Sequence, residues 1–89
     1  MPDWDDDKRQ TNLARHGVDF ALALLFDWSL ATFEIDRRRD YGEFRIVATG
    51  PVLLRLHVLV YTLRGGDVRI ISLRKANDRE FDRWTSRVP

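Results

Sequence analysis

The sequence predicts a mixed α+β fold in one domain, residues 1–89: a helical hairpin, a four-stranded antiparallel sheet and a C-terminal helix. Three observations carry that expectation. Eighty-nine residues sustain one hydrophobic core and not two. Capping residues flank apolar positions at three- and four-residue spacing near both ends of the chain. Between them, apolar residues recur at every second position, punctuated by Gly-containing pairs.

The first helix is legible from its ends. Asp5, Asp6 and Asp7 supply a cap and acids suited to the positive end of a helix dipole, and Gly17 after His16 is the expected left-handed terminator. The helix is therefore placed at about Asp6 to His16. Asp19 then caps a second helix running through Phe26, with Phe20, Ala23 and Leu24 on one face. From Leu30 the period changes to two. Phe33, Ile35 and Arg37 alternate with Thr32, Glu34, Asp36 and Arg38 in a half-buried strand, and Tyr41-Gly42 marks a turn. Phe44, Ile46 and Ala48 alternate with Glu43, Arg45, Val47 and Thr49 in the next strand, which Gly50-Pro51 closes. Val52 to Thr62 is apolar on both faces for much of its length, as a central strand is. Gly65-Gly66 makes the last hairpin and Val68 to Arg74 returns beside it. Asn77 caps the final helix, with Glu80 at capping-box spacing and Phe81, Trp84 and Val88 on one stripe against the sheet. A short extra strand round Trp4 is compatible with the pattern.

Composition excludes several classes of function. The chain has no cysteine, so disulfides and thiolate metal sites are excluded, and its two histidines lie far apart. We expect no metal and no cofactor. The apolar run Phe20 to Phe26 is far short of the roughly 20 residues that span a bilayer, and no basic-then-apolar leader opens the chain. No membrane is expected, and the location expected is cytoplasmic.

The net charge of +1 conceals an asymmetry: Met1 to Asp36 carries −5, Arg37 to Lys75 carries +6, and the last fourteen residues balance. The basic middle is the sheet. Such a split suits a polyanion or an acidic partner, although charge alternating with apolar residues is equally the mark of a solvated sheet face. The sequence holds no Gly-rich phosphate loop, no metal-ligand spacing and no serine with an evident histidine partner. What remains is a basic cluster at the ends of two paired strands, Arg64 with Arg69 near the turn and Arg74-Lys75 before the last helix. Arg74 lies about 17 Å along the strand from that turn, which argues against one compact site holding all four. Lys8, Asn12 and His16 repeat at four-residue spacing on one helix stripe, read first as solvent-facing. His57 reads as a satisfied sheet histidine, and Tyr61 and Ser72 as hydrogen-bonding strand residues.

A resemblance covers essentially the whole chain. Trp4-Asp5 followed by Lys8, Asn12, Arg15-His16-Gly17-Val18, Phe20 and Ala23 resembles the opening of the BrnT family of bacterial type II toxins. Gly42-Glu43-Phe44-Arg45, Leu59-Val60-Tyr61-Thr62 with Arg64, and Arg69-Ile70-Ile71-Ser72 with Arg74-Lys75-Ala76 and Glu80 continue it in order. Trp84 stands where members often have tyrosine, and Leu73 replaces a smaller residue. A hydroxyl role for that late aromatic therefore does not carry over.

The resemblance implies a RelE-like ribonuclease that arrests translation and is neutralised in complex with a BrnA-type antitoxin. Operator DNA would be met only indirectly, through that antitoxin. Metal-free cleavage by attack of a ribose 2′-OH on the adjacent phosphate needs proton transfer and positive charge at the phosphorane. Arg64 and Arg74 are the expected stabilisers, Lys75 holds phosphates, and His16 or Glu43 moves the proton. Arg45, Arg69 and Lys8 are the expected RNA contacts. The rival readings are a non-enzymatic RNA- or protein-binding module and a purely structural subunit of a regulatory complex.

Overall fold

The computed structural model describes residues 2–37 and 42–88. Five strands form one sheet in the order β1-β5-β4-β3-β2. They are β1 (Asp3–Trp4), β2 (Thr32–Ile35), β3 (Ile46–Val52), β4 (Arg55–Arg64) and β5 (Asp67–Lys75), with α1 (Asp6–His16) after β1 and α2 (Asp78–Arg87) after β5. The expected four-stranded antiparallel sheet is thus corrected to five strands. The additional one, β1, pairs parallel with β5 through Asp3–Arg69 and Trp4–Ile70.

Local chemistry set both helices where the sequence placed them. Asp5 accepts from the Lys8 N–H, and Gly17 ends α1 at φ 67 with its N–H on the Leu13 carbonyl. Asn77 and Glu80 close a reciprocal capping box on α2. The second member of the expected helical hairpin is different. Residues Phe20–Leu25 form a 3-10 helix, capped by Asp19 through the Ala21 N–H. With three residues per turn, positions 20, 23 and 26 eclipse one another. Phe20, Ala23 and Phe26 are accordingly buried, whereas Leu24, expected on the same face, is half-exposed.

Several strand boundaries also shift. Gly50-Pro51 does not close its strand, for β3 runs on to Val52 and turns at Leu53-Leu54. β2 stops pairing at Thr49, so Pro51 lies where β3 has lost that neighbour and a missing N–H costs no bond to it. Leu53 adopts φ 55, a conformation that no glycine signals in the sequence. The central strand therefore begins at Arg55, not Val52, and Leu30 belongs to a 3-10 turn, Trp28–Leu30, ahead of β2. On β2 the side expected to be half-buried is open, with Phe33 and Ile35 exposed. Of the expected turn at Tyr41-Gly42, Tyr41 lies outside the described residues and Gly42 has φ 71.

Both faces of β4 are covered. Leu59 and Tyr61 pack with Ala48, Ile70 and Leu73 beneath Val18, Phe20, Ala23 and Phe26. On the other face Leu56, Val58 and Ala76 pack with Val47 and Trp84 of α2. Phe81, expected beside Trp84 on the sheet, is half-exposed. Among the described residues no helix is long and apolar enough to cross a membrane.

Candidate active site

Helix α1 has a single buried side chain, and it is polar. The Asn12 amide donates to the Leu73 carbonyl at 2.7 Å and to the Val18 carbonyl at 3.0 Å, and its Oδ1 accepts from the Leu73 N–H at 3.2 Å. Past the end of β1, this side chain takes the place of a neighbouring strand on the edge of β5. It brings the C-terminal end of α1, with Arg15 and His16, to the face of the sheet that α2 covers.

The register makes that face. Val47 opposes Val60, Val60 opposes Ser72 and Val58 opposes Arg74, so all five project to one side. The register slips between Val60 and Tyr61, because Tyr61 pairs with Ile70 and leaves Ile71 as an extra residue in β5. The result is a trough. Its floor is Val47, Val58 and Val60, one wall is Arg15, His16, Ser72 and Arg74, and Glu80 closes the side towards α2. A shallower hollow continues it along α1 past Lys8, Thr11 and Ile71.

Arg74 is held firmly. Its guanidinium grips Glu80 with two bonds of 2.8 and 2.7 Å, and one of the same carboxylate oxygens accepts the Asn77 N–H at 2.9 Å. The Arg74 bonds hold the Glu80 carboxyl below its ordinary range, outweighing the opposite effect of burial. One carboxylate thus joins the start of α2 to the cationic wall.

The expected site residues divide into three groups. His16, Arg74 and Lys8 come together along the trough, so the Lys8-Asn12-His16 stripe faces β5 as well as solvent. Glu43, Arg45 and Arg64 form a second cluster, Glu43 lying 3.5 Å from Arg45 and 3.6 Å from Arg64. Arg64 shares the trough's face of β4, yet stands six residues beyond Val58, the partner of Arg74, which is about 20 Å of strand. The two expected stabilisers are therefore not brought together. Arg69 sits at the same far end and is paired with Asp3 at 2.7 Å. Lys75 follows Arg74 directly and so projects to the opposite face, across from His57. His57 is buried against the Arg55 carbonyl at 2.8 Å, as expected of a sheet histidine. Trp84 donates its indole N–H to the Leu30 carbonyl at 2.8 Å.

Sequence reasoning missed Arg15 as a site residue and gave Glu80 only a capping role. Arg15 had a signal in its adjacency to His16 in the last helical turn. The Arg74–Glu80 contact crosses a strand-to-helix corner that spacing does not reveal. Among the described residues, no three histidine, cysteine, aspartate or glutamate side chains gather as a metal centre requires. What the trough offers is fixed positive charge, an imidazole and a hydroxyl over an apolar floor, the elements that suit a phosphodiester with an attached base or ribose.

Two comparisons with known proteins bear on the trough. A family model described as the ribonuclease toxin BrnT of type II toxin–antitoxin systems matches residues 4–80, which include every residue that lines it. No curated protein matches the chain.

Proposed function

The chain belongs to the BrnT family of ribonuclease toxins of type II toxin–antitoxin systems, and we propose that its trough is where RNA is cut, without a metal ion. The observation that carries this reading is the convergence of Arg15, His16, Ser72 and Arg74 on one apolar-floored trough. The scissile phosphate lies against Arg15 and Arg74, whose permanent charge stabilises the phosphorane. The ribose 2′-oxygen attacks phosphorus and the bond to the 5′-oxygen breaks. His16 takes the 2′ proton and water supplies one to the departing 5′-oxygen, leaving a cyclic phosphate and a 5′-hydroxyl. The Ser72 hydroxyl donates to a phosphate oxygen. Lys8 at one end, and Arg45, Arg64 and Arg69 at the other, meet phosphates further along the strand. Lys75 takes no part from its opposite face.

A BrnA-type antitoxin would neutralise the chain by forming a complex with it, and would supply any contact with operator DNA. The RNA met in the cytoplasm is the substrate.

The test is to incubate the purified chain with RNA in excess chelator and map the new ends. Cleavage leaving cyclic phosphates and 5′-hydroxyls, lost in His16→Ala and Arg74→Ala, is the expected result. Intact RNA bound in a salt-dependent way would instead identify a binding module. Variants as active as the parent chain would remove the trough from the reaction.

A further inference from the structure

A second recess lies beside the trough, between β2 and α2. Glu34 of β2, Asp36 and Arg37 just beyond its end, Thr49 of β3 and Arg83 and Trp84 of α2 line it, and it shares Val47 and Glu80 with the trough. The two hollows are therefore neighbours on one face of the sheet. The pairings Thr32–Thr49 and Glu34–Val47 bring the β2 side chains to that face.

The recess combines a fixed flat wall with an exposed acceptor. The Trp84 indole is held by its bond to the Leu30 carbonyl, and the Glu34 carboxylate is held by Arg87 at 3.2 Å and Arg83 at 3.6 Å, both closest at Oε1. A carboxylate has room for about four hydrogen bonds, so two arginines do not exhaust it. Aromatic walls stack on the face of any nucleobase, and an aliphatic side chain packs against it without reading it. A carboxylate on the rim distinguishes among them. Guanine presents N1–H and N2–H side by side, two donors matched to one carboxylate. Uracil presents a single N–H flanked by two carbonyls that such a carboxylate repels. Adenine and cytosine present only an amino group.

We propose that this recess is a nucleobase subsite that prefers guanine, adjoining the phosphate held in the trough, with Glu34 reading the base, Trp84 stacking on it and Val47 packing against it. The inference rests on the nuclease reading for the neighbouring phosphate, but its test does not require cleavage.

The four ribonucleoside 3′-monophosphates are titrated into the full chain while the Trp84 indole N–H is followed by NMR. The expected result is a shift of that signal and binding of 3′-GMP about tenfold or more tighter than the others. Glu34→Gln, whose fold is checked from the same spectrum, should bring the four within about twofold. Equal binding of all four by the parent chain, a Trp84 signal that stays still, or a guanine preference that survives in Glu34→Gln each overturns the subsite. Selective 3′-GMP binding by a chain that leaves RNA intact upholds the subsite and refutes the nuclease reading. RNA cleavage with no base preference does the reverse.

Discussion

The Asn12 side chain pairs with both backbone polar groups of Leu73, accepting from its N–H and donating to its carbonyl, as a neighbouring strand does. Leu13 beside it is half-exposed, so α1 is held to the sheet more by this amide than by an apolar face. Asn12→Ala leaves buried backbone groups without partners and should cost about 2–3 kcal/mol. Thermal unfolding should show this as a fall of about 10–20 °C in Tm. RNA cleavage should fall further than the loss of folded protein explains, because α1 carries one wall of the trough.

Gly50 stands where two elements cross. A Cβ there would lie 2.9 Å from the Phe26 ring and 3.2 Å from the Ala31 methyl. Gly50→Ala should therefore destabilise by about 1–3 kcal/mol through overpacking. Denaturant titration is the measurement, with a lower midpoint and an unchanged slope expected. The trough lies on the opposite face, so catalysis per folded molecule should be unaffected.

Hydrogen bonds from Arg9, with help from the Ala21 N–H, lower the Asp19 carboxyl from its ordinary 3.8 to about 2. A carboxyl lowered by folding stabilises the fold above its ordinary value, and that contribution fades as pH falls from 3.8 through about 2. Asp19→Asn should be less stable than the parent chain at neutral pH, and the difference should shrink across that window. Urea midpoints measured for both proteins from neutral pH downward are the check, and a constant gap would contradict the assignment.

Glu80 positions Arg74 and caps α2 with the same carboxylate. Glu80→Ala should lower kcat for RNA by about 10- to 100-fold, the scale expected when a charged group loses its alignment. Glu80→Gln keeps one acceptor for the cap and should restore stability more fully than activity. A parallel loss of both in the two variants would mean that Glu80 serves only the helix.

Features that depend on a few adjacent residues were legible. The caps at Asp5, Gly17 and Asn77 with Glu80 are local chemistry, and they set both α-helices within the sequence's own bounds. The 3-10 helix was not legible in kind, since apolar residues at three-residue spacing satisfy either helical period. The hairpin at Leu53-Leu54 was hidden because a leucine takes the positive φ that a glycine normally announces. Gly50-Pro51 misled because the tolerance of a strand for proline depends on where its neighbour stops, which sequence does not display. The trough needs the register slip at Ile71 and the Asn12 contact, both set by tertiary structure. Its residue types were foreseeable, and their meeting was not.

The walls of the trough come from opposite parts of the chain. Asn12 and Leu73, whose bonds join them, are 61 positions apart. During synthesis, a nascent chain that has emerged only as far as Gly66 holds α1 with no β5 to receive it. Contacts of such long sequence separation form late. The molecule therefore cannot assemble the trough while its own message is still being read through β5, and the trough is complete only once residues up to Glu80 are free to fold.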